Sequence, residues 1–312
     1  MAKITNQFSW SFTRYKVFNE CRRQYYHHYY GYWDGWNDAA PDRARLTYRL
    51  KNMMSAPMWV GDLVHRMVER IVGDLRNREL NSLDSYPKQA RTLLNREWTQ
   101  SIEKKWQWKP KYNLNLFEHY YGVEITPEER IAVRDKVYRC LENFMGSEIF
   151  AELGDLRPDD WKSLEKLEQF VVGDAPVFLK IDCAVGREGI LTIYDWKTGR
   201  ESEETAVQLG CYALYAFHVW RVPPEKQRLI SFYLASNEVR QHAPSAEGLI
   251  ETKDLILRSM QEMAAVLDSS IEKNRATEEN FPMTPRRSTC QRCFFRELCF
   301  STREWNADVA KE

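Results

Sequence analysis

Asp195-Trp196-Lys197 sets an acid and a base two positions apart, at the end of a run from Ile190 to Lys197 whose composition favours a β-strand. Alternate side chains of a strand share a face, so Asp195 and Lys197 point one way and Trp196 the other. Thirteen residues earlier Asp182 interrupts a second β-rich run, Val177 to Cys183, at a position between Ile181 and Cys183 where an acid needs a partner. If the two runs close as a hairpin around Gly186 to Gly189, Asp182 lies opposite Ile193 and one diagonal step from Asp195, within about 7–8 Å between backbone positions. Two carboxylates so placed suit a hard divalent cation such as Mg²⁺, which takes oxygen ligands together with waters and phosphate oxygens. Such an ion polarises a phosphoryl group and lowers the pKa of a bound water, while Lys197 can orient that water or neutralise developing charge; the chemistry is phosphodiester hydrolysis. A lone Asp-x-Lys is read more simply as a solvated ion pair on an edge strand, so the motif needs company.

A second set of reactive residues lies near the C-terminus. Cys290-x2-Cys293-x5-Cys299 supplies three thiols from one short segment, and a tetrahedral structural Zn²⁺ or a cubane iron–sulfur cluster would each need a fourth, for which Cys21 is the candidate. Cys140, Cys183 and Cys211 stand in apolar or helical contexts and read as buried small hydrophobes.

The elements that must position these groups are legible in outline. From Trp59 to Val72, Val60, Leu63, Val64, Met67, Val68, Ile71 and Val72 recur at helical spacing and predict a helix packed on a core. Residues 76–164 are polar and helix-prone, with Thr126-Pro127-Glu128-Glu129 as a helix start, and are read as a helical insertion. From Leu167 the character turns to strand, giving the hairpin; Ser202 then opens a helix through Leu209, Leu214 and Phe217, Leu229 to Leu234 forms another strand, and a last helix is expected near Asp254 to Lys273. The order predicts an α/β protein with a small mixed sheet flanked by helices, in one composite domain over residues 1–312.

Composition narrows the function classes. With 45 basic and 45 acidic residues among 312 there is no overall field to draw the chain to nucleic acid or to a membrane surface, so any DNA contact must come from local patches. Arg22-Arg23, Arg43 with Arg45 and Arg49, the Lys104 to Lys111 stretch and Arg286-Arg287 are the candidates. The aromatic run from Tyr25 to Trp36 could stack unpaired bases, although core packing is its plainer use. No signal core or long apolar span is evident, which gives an expectation of a cytoplasmic protein without a membrane partner, in a compartment where seven cysteines do not form disulfides. There is no Gly-x4-Gly-Lys-Ser/Thr loop for ATP.

Taken in order, Gly61-Asp-Leu-Val-His65-Arg-Met-Val-Glu69, Asp182, Asp195-Trp-Lys197 and Gln208-Leu-Gly-Cys-Tyr212 resemble the successive motifs of RecB-type nucleases of the PD-(D/E)XK superfamily. The segment Phe12 to Tyr26 around Cys21 resembles the one carrying the first cluster cysteine in AddB-type nucleases and CRISPR-associated adaptation exonucleases, with Arg22 where that family usually has proline. The resemblance implies a restriction-endonuclease-like core whose N- and C-terminal segments, at residue 21 and residues 290–299, are stapled by an iron–sulfur cluster. It implies that His65, Asp182, Asp195 and the Trp196 carbonyl bind the metal, that Lys197 is catalytic, that Glu69 lines the site, and that Gln208 and Tyr212, one helical turn apart, reach toward the active site or DNA. Cys21, Cys290, Cys293 and Cys299 would hold [4Fe–4S], with structural Zn²⁺ as the alternative. The activity implied is a Mg²⁺- or Mn²⁺-dependent deoxyribonuclease, exonuclease ahead of endonuclease, acting on single-stranded or unwound DNA in repair, recombination or defence against foreign DNA, with a helicase in trans. The competing reading is a non-catalytic iron–sulfur DNA-binding or scaffold subunit. Singly each residue has a plainer use: His65 and Glu69 can be a surface pair, and Tyr212 can pack on Tyr215.

Overall fold

The apolar stripe from Val60 to Val72 folds as the expected helix, longer at both ends, from Ala56 to Asn77. Its buried side runs from Trp59 to Leu75, and every residue of the expected stripe is at most 2% exposed. Each such Leu, Val or Ile contributes about 1.5–3 kcal/mol of burial, so the polar flank carrying His65 is held in place by the apolar one. The computed structural model describes residues 5–301 and 305. They fall into two compact units, Ser55–Thr99 with Gly122–Leu257, and the described residues up to Met54 with Gln100–Tyr121 and those from Arg258 onward.

The first unit contains a mixed sheet. β1 (Trp10–Ser11) belongs to the other unit; here β2 (Trp161–Val172), β3 (Ala175–Arg187) and β4 (Ile190–Lys197) pair antiparallel in succession. β4 then pairs in parallel with β5 (Gln227–Tyr233), and β5 antiparallel with β6 (Glu238–His242). A parallel neighbour cannot be reached by a tight turn. The Glu204–His218 helix supplies that crossover, as the sequence pattern predicts. Helix Pro127–Met145 packs on the Ala56–Asn77 helix and starts on a complete capping box: Thr126 Oγ1 accepts from the Glu129 amide, and the Glu129 carboxylate accepts from the Thr126 amide.

Three expectations are corrected. The strand region begins at Trp161, so residues 161–164 lie in β2 and not in a helical stretch. The β3–β4 turn consists of Glu188 and Gly189, both at positive φ (53° and 79°), while Gly186 sits in the ladder opposite Leu191. That pair of left-handed residues is the twist-matched two-residue hairpin turn. Ile193 accordingly faces Ala184, two residues along from the expected register. The last long helix spans Ala246–Ala265, ending before the expected Lys273.

In the second unit the aromatic run after Cys21 turns largely inward. Tyr25 and Tyr30 are buried, and Tyr25 stacks on Phe281 at 6.2 Å between ring centroids. Leu50, Met53, Phe117, Phe294 and Phe295 form a small core beside the C-terminal cysteine segment. No helix among the described residues is long and apolar enough to cross a membrane.

Candidate active site

β3 and β4 run antiparallel, and their last ladder pair on this side is Cys183 with Tyr194, so Asp182 stands directly across from Asp195. A shift of two residues keeps the face, and both acids remain on the same side of the sheet. Trp196 points the other way, into a core of Phe144, Tyr194 and Phe232. Its backbone amide donates to Asp182 Oδ2 at 2.8 Å, fixing that carboxylate from the neighbouring strand.

Lys197 is tied twice. Its Nζ lies 2.8 Å from Asp195 Oδ2 and donates to Gln208 Oε1 at 2.7 Å. Gln208 Nε2 donates in turn to the Tyr212 hydroxyl at 2.7 Å, and that hydroxyl reaches the Lys180 carbonyl at 2.9 Å and Asp195 Oδ1 at 3.5 Å. The i, i+4 spacing of Gln208 and Tyr212 thus lets one helix face read both strands. Burial, then the facing Asp182 charge, push the Asp195 carboxyl above the usual range, with Lys197 and His65 opposing them. Burial also holds the Tyr212 hydroxyl well above its ordinary pKa, so it stays neutral while it accepts from Gln208 and donates in turn.

On the other side of Asp182 stands a residue that the sequence reading missed. Glu165 lies within β2 between the ladder pairs Leu164 with Cys183 and Lys166 with Ile181, which sets it opposite Asp182. His65 Nδ1 is 3.6 Å from Glu165 Oε1 and 3.6 Å from Asp182 Oδ1. The ligand atoms of these three residues lie within 4.8 Å of one another, the only such group of three among the described residues. Glu165 adopts φ 49°, a left-handed conformation that costs a residue with a Cβ roughly 1–3 kcal/mol and persists only where the surroundings impose it. Its Oε2 pairs with Lys180, whereas its Oε1 is buried with no hydrogen-bond partner. An imidazole nitrogen and carboxylate oxygens, one of them orphaned, make a donor set that fits a divalent cation. Burial works against the charged form of His65, but the Asp182 charge and close polar contact with Asp182 and Glu165 outweigh it and raise the pKa to about 10.

Glu69 sits one turn beyond His65 and outside the group of three. Its carboxyl is raised by partial burial and by Glu165, with Lys180 opposing. Gly61, a turn before His65, lies against the segment that follows Lys197: a Cβ there would meet Thr198 Oγ1 at 3.2 Å. Behind the site, Glu97 accepts from Trp59 Nε1 at 2.7 Å and from both Arg66 terminal nitrogens, at 2.8 and 2.9 Å.

In the other unit, Cys21, Cys290, Cys293 and Cys299 line a single small cavity together with His27 and Phe295. The Thr284 amide donates to Cys21 Sγ at 3.4 Å, and Cys299 Sγ is 3.9 Å from His27 Nε2. Burial first, and Cys21 second, raise Cys290 against the opposing charge of Arg287; in Cys299 burial pushes the thiol up to about 11. Arg23 Nε donates to the Phe281 carbonyl at 2.7 Å, and Arg23 and Arg43 both pair with Glu278, so the segment after Cys21 is joined to the region before Cys290 by protein contacts as well. Cys140, Cys183 and Cys211 are buried away from this cavity, as expected of small hydrophobes.

The sequence matches the PD-(D/E)XK nuclease superfamily over residues 9–300, and the chain belongs to that superfamily. Membership implies a nuclease, and nucleases of this class use divalent metals. No curated protein matches the chain.

Proposed function

We propose that this protein is a Mn²⁺- or Mg²⁺-dependent deoxyribonuclease whose chemistry is carried by His65, Asp182, Asp195 and Lys197. The observation that supports this most directly is the Lys197 ammonium, held 2.8 Å from Asp195 and 2.7 Å from Gln208, beside three convergent ligand atoms. A bound divalent ion supplies polarisation of the phosphoryl group and a bound water of lowered pKa. His65, Asp182, Asp195 and the Trp196 carbonyl are the residues that would hold it, and we add Glu165, whose orphaned buried oxygen faces the same group. A histidine among oxygen ligands favours Mn²⁺ over Mg²⁺.

Lys197 places a fixed positive charge at the site, where it can neutralise developing negative charge or donate to the attacking water. Gln208 and Tyr212 act as positioning residues: they hold the lysine's angle and anchor it to the backbone of β3. The Trp196 amide fixes one oxygen of Asp182 and leaves the other for His65 and the ion. Glu69 and Lys180 shape the field around Glu165.

Four cysteines around one cavity support a metal cofactor there. The resemblance of their one-plus-three arrangement to iron–sulfur nucleases favours a [4Fe–4S] cluster on Cys21, Cys290, Cys293 and Cys299, as a structural tie within its unit, in a reducing compartment such as the cytoplasm, with structural Zn²⁺ as the alternative. The resemblance to AddB-type and CRISPR-associated nucleases supports single-stranded or unwound DNA as substrate, cleavage from an end, and a role in repair, recombination or defence. With no ATP-binding loop in these residues, unwinding falls to a helicase in trans.

The test is cleavage of end-labelled single- and double-stranded DNA by the purified protein with Mn²⁺ or with EDTA, beside Lys197→Ala. Metal-dependent cleavage lost in the variant supports the reading. Absence of metal-dependent cleavage, or cleavage indifferent to Lys197, overturns it in favour of a non-catalytic subunit.

A further inference from the structure

Residues 104 to 113 of the second unit form a loop that closes on itself. The Trp108 amide donates to the Lys105 carbonyl at 3.3 Å, the Tyr112 amide to the Lys109 carbonyl at 3.0 Å, and Asn113 Nδ2 to the Lys109 carbonyl at 3.2 Å. These bonds, with the buried Trp106, hold the loop, and none of them uses the Trp108 or Tyr112 side chain. Yet Trp108 is 87% exposed and Tyr112 76% exposed, the two most exposed large hydrophobic residues described. Single exposed apolar residues need no explanation, but two large rings on one short, tied loop do.

Both rings line a cleft of about 460 Å³ that also contains Trp36 and Tyr48. Trp36 is itself 43% exposed and is braced edge-on by Trp33 at 5.2 Å and by Tyr48 at 6.1 Å. It is a rigid face left open to solvent. The charged residues of the cleft are Arg45, Arg49, Lys109 and Lys111 against one acid, Asp38. A second cleft of about 470 Å³ shares Arg49 and Gln107 with the first and continues to Lys104 and Tyr120. The pattern is therefore a continuous track of aromatic faces and cations in a chain whose overall charge is zero.

We propose that this track binds single-stranded DNA, with bases stacking on Trp108, Tyr112 and Trp36 and phosphates lying against Arg45, Arg49, Lys109 and Lys111. Stacking on open rings needs unpaired bases, whereas a duplex hides base faces and presents only phosphates to the cations. The proposal rests on the DNA substrate assigned above and gives it a strand preference and a binding surface.

The experiment is fluorescence anisotropy of labelled dT15 and of a 15-base-pair duplex with the full chain in EDTA, so that binding is read without turnover. Trp108→Ala and Tyr112→Ala should each weaken dT15 binding roughly 5- to 150-fold, the equivalent of one lost base stack, with little effect on the duplex. Arg49→Ala or Lys111→Ala should lower the salt slope of log Kd by about 0.7. Intrinsic tryptophan fluorescence should be quenched by dT15, and this quenching should largely vanish in Trp108→Ala. Unchanged dT15 affinity in the double variant Trp108→Ala/Tyr112→Ala, with an unchanged thermal midpoint, overturns the proposal, as does displacement of dT15 by an acidic peptide but not by unlabelled dT15. Failure here leaves metal-dependent cleavage intact, whereas a failed nuclease reading shows as dT15 binding through Trp108 without cleavage when Mn²⁺ is added.

Discussion

The backbone amide of Trp196 donates to the carboxylate of Asp182 at 2.8 Å, so the strand that bears Lys197 orients the acid on the strand beside it. With one oxygen occupied in this way, the other is left 3.6 Å from His65. A backbone donor cannot be removed by substitution, which makes this contact a fixed point from which the surrounding side chains can be tested.

Lys197→Ala should reduce the rate of DNA cleavage about 10²–10³-fold, the usual cost of deleting one group that stabilises developing charge. Initial rates under saturating Mn²⁺ measure it. Circular dichroism should stay unchanged, because the lysine is at the end of β4 and its ring of contacts is polar.

Glu165→Gln keeps the size of the side chain and removes its charge. Even residues outside the ligand sphere typically change metal affinity about 10–100-fold, so a ligand should cost at least about tenfold in Mn²⁺ binding, read by calorimetry or by the free-Mn²⁺ resonance. Wild-type affinity in this variant would remove Glu165 from the ligand set and leave His65, Asp182 and Asp195.

Binding of Mn²⁺ should release a proton. His65 keeps its proton up to about pH 10 in the metal-free protein, and a ligand imidazole must be neutral. Apparent affinity should therefore rise between pH 7 and 9 by up to about tenfold per unit, and the heat of binding should differ between Tris and HEPES. His65→Gln should flatten both. The same raised pKa contributes to metal-free stability in full below the unfolded value of about 6.5, and that contribution is lost as the pH rises through 10.

Cys21→Ser and Cys299→Ser should behave alike, although 278 positions separate them, because both thiols face one cavity. Anaerobic wild-type protein should be coloured and carry about four iron and four sulfide per chain, and both variants should lose most of that iron. A colourless protein with one zinc would replace the cluster assignment with a structural zinc.

Glu97→Ala should destabilise the fold by about 2 kcal/mol, since it leaves the buried Trp59 indole and one side of Arg66 without an acceptor. Burial alone would raise the Glu97 carboxyl, but the hydrogen bonds and charge of Arg66 and the bond from Trp59 lower it. Its contribution is thus present above the unfolded value of about 4.3 and lost as the pH falls. Urea melts at pH 7 and at acid pH should show a smaller gap between variant and wild type under acid conditions.

The parts of this architecture that were legible in the sequence are those written by period. The 3.6-residue stripe fixed which side of its helix His65 would leave polar, and strand alternation separated Asp195 and Lys197 from Trp196. Glu165 escaped because β2 buries the polar Ser163 and Glu165 while it exposes Leu167 and Val171, and its left-handed residue breaks the alternation that marks a strand. The hairpin register escaped because Gly186 resembled a turn residue, while the turn formed at Glu188-Gly189. The difference between a buried Tyr25 and an open Trp108 is set by tertiary packing, and no local pattern carries it.

The turn at Glu188 and Gly189 also has a bearing on how faulty copies of this chain would behave. Pleated strands slide past one another only in whole residues, and a slip of one would carry Asp182 to the apolar side and bring Cys183 toward Lys197. Errors in this hairpin are thus digital. A copy slipped by one residue would lack the site altogether and could not retain a weakened version of it, so a preparation containing such copies should titrate as a mixture of full and empty molecules with one shared metal affinity.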